Sequence, residues 1–200
     1  LSRIEFKGKK LFDYLPQFKD WLMCASIDGT GDIVEFIRKG IVWDEWLENF
    51  KQGLAIPGGK NKMWFDLTIT GPGMFSIKEL FDLSLELDVR METKIMFAFH
   101  PDIVFSPFAW PKHILVRKVD ELLSYIEPRA TNKQATLVKT LHEMKNRPSF
   151  EEEHPDKFVQ GKKNGKSFQK ELDTIRDEKI TIADIYKADD ELYEWWMNDE

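Results

Sequence analysis

Cysteine is nearly absent from this 200-residue chain, which carries Cys24 alone. A single thiol excludes an intrachain disulfide, a thiolate zinc site and an iron–sulfur cluster held by this chain by itself. It also favours a reducing compartment, so we expect a cytoplasmic protein. Cys24 falls inside the apolar run Trp21–Ile27, and that position predicts a packed, buried thiol rather than a metal ligand.

Long apolar runs and an excess of positive charge are missing as well. No stretch approaches the roughly 18 consecutive apolar residues of a membrane span, so we expect no membrane association. The net charge is −6, which gives no electrostatic footprint for DNA or RNA. His142 and His154 are not spaced as a metal motif, and no metal ligands are predicted within the chain.

Three apolar runs, each ended by turn residues, predict buried strands. They are Trp21–Ile27, Met63–Thr70 and Ile95–Phe99. Between them, apolar residues recur at helical spacing over Ile33–Phe50, with a break around Gly40, and over Ile77–Leu87. Ser76 and Glu79 have the spacing of a capping box for the second of these helical segments. Strands that alternate with helices are typical of βαβ units and a parallel sheet, so the fold class is α/β.

The character of the chain changes after this region. Leu115–Ile126 and Thr136–Met144 are helical in period, and no further strand is evident. We therefore expect an α/β part over residues 1–127 and a mainly helical extension over residues 128–200. Residues 151–167 are polar and charged, which predicts a flexible linker within that extension.

Ligands of parallel α/β folds bind at the carboxyl ends of the strands. The residues that end the three predicted strands are therefore the candidates for a site. They are Ser26, Asp28, Thr68, Thr70, Phe99 and His100.

The segment Ser26-Ile27-Asp28-Gly29 and the residues that continue it resemble the fourth strand of radical S-adenosylmethionine (radical SAM) enzymes. The continuation is Arg38-x-Gly40-x-x-Trp43-x₅-Asn49. The similarity is greatest to twitch-domain-containing radical SAM proteins and their SPASM-type relatives, including the anaerobic sulfatase-maturating enzymes, and it spans about residues 20–110.

The resemblance implies a fold, a ligand and roles for named residues. The fold would be the C-terminal part, about three βα units, of a partial (β/α)6 TIM-like barrel. Ser26 and Arg38 would bind the carboxylate of S-adenosylmethionine, with Asp28, Thr68, Thr70, Phe99 and His100 also near the cofactor. A planar guanidinium beside a hydroxyl suits such a carboxylate, because it can donate two parallel hydrogen bonds.

The family also requires a Cys-x₃-Cys-x₂-Cys loop for a [4Fe–4S] cluster, and this chain has none. We therefore expect a fragment whose cluster ligands lie in a missing N-terminal part. The intact protein would take an electron from a donor, cleave S-adenosylmethionine reductively and form a 5′-deoxyadenosyl radical. That radical would abstract hydrogen from an unknown substrate, with peptides and proteins among the candidates. The fragment alone is expected to be inactive.

Two other interpretations stay open at the level of sequence. One is a different α/β-barrel or nucleotide-binding domain that holds a small anionic ligand without a cluster. The other is a non-catalytic interaction module in which the polar residues at the strand ends have no ligand.

Overall fold

A three-stranded parallel sheet lies at the centre of the fold, in the order β3-β4-β5. The computed structural model describes residues 1–97, 103–176 and 179–198. The strands are β1 (Glu5–Phe6), β2 (Lys9–Lys10), β3 (Met23–Ile27), β4 (Met63–Ile69) and β5 (Met91–Ile95). β1 and β2 form a short antiparallel hairpin of their own. The predicted α/β class is confirmed.

Helices connect and cover the strands. Before β5 they are α1 (Leu11–Tyr14), α2 (Gly31–Ile37), α3 (Trp43–Ala55), α4 (Gly59–Lys62) and α5 (Ile77–Glu86). After β5 they are α6 (Lys112–Ile126), α7 (Ala135–Asn146), α8 (Phe150–Glu153), α9 (Pro155–Arg176), α10 (Ile182–Tyr186) and α11 (Asp190–Met197). In the part of the chain that the structure describes, no helix is both long and apolar enough to cross a bilayer.

The central strand β4 has two chemically different faces. Met63, Phe65, Leu67 and Ile69 are at most 2% exposed, whereas the residues between them are only half-buried. Helix α3 packs on the apolar face, since the Phe50 ring lies 4.7 Å from the Phe65 ring. This alternation has the two-residue period of a strand, so it sends every second side chain to the other face of the sheet.

The predicted break around Gly40 separates α2 from α3. Arg38 leaves the helical conformation with φ −116° and ψ 88°, and Gly40 follows with φ 90°, a region that glycine adopts readily. Glu35 joins the two helices by accepting a hydrogen bond from the backbone N–H of Trp43 (2.9 Å). That hydrogen bond, followed by the one from Lys179, lowers the pKa of the Glu35 carboxyl from its ordinary value.

The third strand lies earlier than the apolar run Ile95–Phe99 predicts. β5 is Met91–Ile95, whose sequence alternates polar and apolar residues. The prediction followed hydrophobicity. Among the described residues, however, β5 pairs with β4 alone and keeps one face partly open, so a segment of alternating polar and apolar residues can form the strand. Met96 and Phe97 already lie beyond the strand.

Cys24 and Ser76 also differ from expectation. The Cys24 thiol is exposed, because its side chain lies on the partly open face of β3 rather than in the core. The Ser76 hydroxyl does not cap α5. Instead it accepts a hydrogen bond from Thr30 N (3.2 Å) and donates one to Gly73 O (3.3 Å), so it joins the loops after β3 and β4.

The expected linker over residues 151–167 is helical. It comprises α8 and most of α9, which begins at Pro155, a residue suited to the first helical position. α9 is held to the rest of the fold by both apolar and polar groups. Phe158 is 2% exposed and belongs to the hydrophobic core. The ammonium of Lys166 is buried and donates to the carbonyls of Trp195 (2.7 Å) and Asn198 (2.6 Å), at the C-terminal end of α11.

We expect Lys166→Met to destabilise the protein. Methionine preserves most of the packing volume against the tryptophans of α11 but leaves the two carbonyls without their donor, a loss of about 1–3 kcal/mol. Thermal unfolding followed by circular dichroism should show a melting temperature lower by roughly 2–4 °C for each kcal/mol lost from the free energy of unfolding. Lys163→Met is the matched control, because Lys163 is an exposed lysine of the same helix. Equal melting temperatures for the two variants would show that Lys166 does not anchor α9.

Candidate functional site

A cavity of about 290 Å³ opens where β3, β4 and β5 end. Its polar lining consists of Asp28, Arg38, Thr68, Thr70, Gln169 and Arg176. The first four were predicted from the sequence, and the structure brings them together at the carboxyl ends of parallel strands. This edge of the sheet is where α/β folds bind ligands.

An ion pair between Asp28 and Arg38 forms the charged part of the lining. Arg38 Nε and Nη2 donate to the two carboxylate oxygens of Asp28, the second at 3.3 Å, in the two-pronged geometry that suits a guanidinium. The Asp28 side chain is 5% exposed and that of Arg38 is 37% exposed. Asp28 is therefore the buried partner, and Arg38 is the partner that reaches both the cavity and solvent.

Close packing of two loops fixes the position of Asp28. The loop after β4 approaches the end of β3 so closely that a Cβ on Gly73 would lie 2.3 Å from the carbonyl oxygen of Asp28. A Cβ on Gly29 would likewise lie 2.4 Å from the Ser76 hydroxyl. Both contacts are far shorter than carbon and oxygen tolerate. Glycine is required at position 73, where the nearby atom belongs to the backbone, whereas at position 29 the Ser76 side chain would have to move.

The two threonines of β4 have different surroundings. Thr70 is 2% exposed, and its hydroxyl accepts a hydrogen bond from Gly73 N (3.0 Å), which stabilises the turn. Thr68 is half-buried on the partly open face of the sheet and pairs in register with Lys94 of β5. Of the two hydroxyls, that of Thr68 is therefore the one available to a ligand.

Ser26 lies apart from this cavity. Its hydroxyl donates to Asp66 Oδ2 (3.2 Å), and the ammonium of Lys94 donates to the same oxygen (2.6 Å). The three residues form a row across β3, β4 and β5 on the partly open face of the sheet. Ser26 lines a second depression of about 310 Å³, and Arg38 lines both depressions. Arg38 is thus the residue that connects Ser26 with the strand-end site.

Phe99 and His100, which were also predicted near the cofactor, lie outside the described residues. Four polar residues near the site were missed at the level of sequence: Asp66, Lys94, Gln169 and Arg176. Asp66 could have been found from the polar positions that alternate with apolar ones along Met63–Ile69. Gln169 and Arg176 gave no such signal. The sequence predicts a helix over Phe168–Arg176, within the observed α9, but a helical period does not show which part of the sheet the helix lies beside.

Metal coordination has no visible basis in the described ranges, which hold no group of three His, Cys, Asp or Glu side chains suited to a metal ion.

No protein-family model matches the chain, and no curated protein or solved structure matches it. The geometry of the strand-end cavity is therefore the main guide to function.

We expect the Asp28–Arg38 pair to be energetically asymmetric. Arg38→Gln leaves a buried carboxylate without its cation and should lower the free energy of unfolding by about 1–3 kcal/mol. Asp28→Asn should cost less, because the half-exposed guanidinium of Arg38 can be hydrated instead. Adding Asp28→Asn to Arg38→Gln should recover part of the loss, since the uncompensated charge is then removed. Urea unfolding of the three variants measures these differences.

The exposed Asp20 supplies the control, Asp20→Asn, which should leave the unfolding free energy within about 0.5 kcal/mol of wild type. A larger loss for Asp28→Asn than for Arg38→Gln would contradict the assignment of Asp28 as the buried partner.

Proposed function

We propose that this chain is the S-adenosylmethionine-binding part of a radical SAM enzyme. The observation that carries the proposal is the position of Arg38. It follows Ser26 at the spacing of the family's carboxylate-binding pair, and its guanidinium lies where the Ser26 depression and the strand-end cavity meet.

The two faces of the sheet support a partial barrel. In an open doubly wound sheet, helices cover both faces, and both are apolar. Here the face opposite Phe65 and Leu67 carries Ser26, Asp66 and Lys94, and the Lys94 side chain is 55% exposed. A polar, partly open face is what the inner side of an incomplete (β/α)6 barrel would present.

The residues of the site fit the carboxylate end of S-adenosylmethionine. A guanidinium carries five N–H groups, and Asp28 engages only part of them, so Arg38 retains donors for a ligand carboxylate. Asp28 would hold the guanidinium in one orientation, and Ser26 would offer its hydroxyl on the neighbouring depression. Thr68 would add a second hydroxyl at the end of β4.

The iron–sulfur cluster of the family does not fit this chain. Three thiolates are required, and the sequence has Cys24 alone. The proposal for this chain is therefore limited to binding and orienting S-adenosylmethionine. In an intact enzyme, cysteines from an N-terminal part would hold the cluster, which would supply the electron for reductive cleavage, and an electron donor and a substrate would be further partners.

The test is the affinity of the chain for S-adenosylmethionine, measured by titration calorimetry for wild type and Arg38→Lys. Lysine keeps the charge but loses the planar two-pronged donor. Losing one charge-assisted hydrogen bond, worth about 1.5–3 kcal/mol, should raise the dissociation constant roughly ten- to a hundredfold.

Arg117→Lys is the matched control, because Arg117 also pairs with carboxylates, those of Asp189 (2.9 Å) and Glu191 (3.1 Å), but does not line the cavity. It should bind like wild type. Equal affinities for wild type and Arg38→Lys would remove Arg38 from the site and, with it, the main support for the proposed function.

A further inference from the structure

Helix α9 forms one wall of the strand-end cavity. Gln169, Leu172 and Arg176 all line it, and their spacing of three and four residues places them on one side of the helix. α9 also packs against the short 3₁₀ turn Ile103–Phe105, and Phe105 is another lining residue. At its end, the carbonyl of Arg176 accepts a hydrogen bond from Lys39 (3.2 Å), the residue next to Arg38.

Arg176 adds a positive charge to the lining of this cavity. Asp28 and Arg38 neutralise each other. The guanidinium of Arg176 has no hydrogen bond or ion pair with any residue in the described ranges, which leave out 177–178. Asp173, one turn earlier on α9, accepts a hydrogen bond from the buried Gln169 amide (2.5 Å). The Asp28–Arg38 pair has no net charge, so the half-buried guanidinium of Arg176 favours the binding of an anion in the cavity.

The rest of the lining indicates what kind of anion fits. Ile37, Met96, Phe105 and Leu172 supply apolar walls, and Thr68 supplies a hydroxyl. The volume of about 290 Å³ lies at the small end of the range for ligand sites. One guanidinium without an ion pair in the described ranges matches a single negative charge better than a phosphate monoester, which carries about −1.5 to −2 at neutral pH.

We infer that Arg176 binds the carboxylate of a small ligand in this cavity, together with the exposed edge of Arg38. The carboxylate has two possible sources. It belongs either to the amino-acid end of S-adenosylmethionine, in which case the inference rests on the proposed function, or to a separate small substrate with a short apolar stem. In both cases α9 contributes directly to the site.

The test follows the side-chain Nε–H signals of Arg38 and Arg176 by ¹H–¹⁵N NMR while the 200-residue chain is titrated. The probes are S-adenosylmethionine, propionate, 5′-methylthioadenosine, which lacks the carboxylate, and inorganic phosphate. Propionate and S-adenosylmethionine should shift the Arg176 signal in a saturable way, and the other two should not.

The variants are Arg176→Gln, Arg176→Lys and the control Lys163→Gln, which removes one positive charge from the same helix outside the cavity. Arg176→Gln should weaken propionate and S-adenosylmethionine binding at least about tenfold, since a charge-assisted hydrogen bond is lost. Arg176→Lys should weaken it less, and Lys163→Gln should leave it unchanged. Thermal melts of each variant confirm that the fold is retained.

The outcomes separate this inference from the proposed function. Binding of propionate that depends on Arg176, without binding of S-adenosylmethionine, supports the inference and contradicts the proposed function. Binding of S-adenosylmethionine that depends on Arg38 but is unaffected by Arg176→Gln supports the proposed function and overturns the inference. The inference is also overturned if neither propionate nor S-adenosylmethionine shifts the Arg176 signal, or if phosphate binds as strongly as propionate.

Discussion

The two-faced chemistry of β4 is the constraint on which the rest of this structure depends. Its buried side chains, among them Phe65 and Leu67, give the helices an apolar surface to pack on. Its other side chains, Asp66 and Thr68, are too polar to be covered by another apolar layer. Helix α3 packs on the apolar face, and the polar row that includes Ser26 and Lys94 stays partly open on the other face, where α9 lines the cavity beside Thr68.

The site depends on backbone packing as much as on its charged groups. Asp28 can be buried because Gly73 lets the loop after β4 lie directly against its carbonyl. Burying one carboxylate is unfavourable unless a cation pairs with it, and the end of α2 supplies that cation as Arg38. Gly40, with its positive φ, then turns the chain away toward α3. One strand end, two loops and one helix end thus meet at a single ion pair.

Sequence patterns predicted the elements that follow simple hydrophobic rules and misplaced the others. The first two strands and the break around Gly40 were predicted correctly, because apolar runs, β-branched residues and glycine have strong preferences for particular local backbone conformations. The third strand was placed too late, since Ile95–Phe99 is more apolar than the alternating segment that forms β5. Burial of Cys24 was also wrong, because a single apolar run does not reveal which face of the sheet stays open.

The same reasoning placed Asp28, Thr68 and Thr70 at one edge of the sheet, since carboxyl ends of parallel strands share an edge, and the resemblance to radical SAM enzymes added Arg38. It could not place Arg176. Arg176 reaches the cavity because α9 packs beside the end of the sheet. Hydrophobic periodicity predicts a helix but does not predict which other element the helix contacts, and the pattern in this polar segment is weak.

The polar attachment of α9 has a consequence for the site that it lines. An apolar helix face is held by dispersion and burial, and its fit tolerates many side chains of similar volume. α9 is also positioned by directional contacts, which are the Lys166 ammonium on the carbonyls that end α11 and the Lys39 ammonium on the carbonyl of Arg176. Directional hydrogen bonds fix register more strictly than apolar contact does. A helix that must hold one guanidinium at the mouth of a small cavity gains more from fixed register than from additional buried area, and its hydrophilic sequence is consistent with that role.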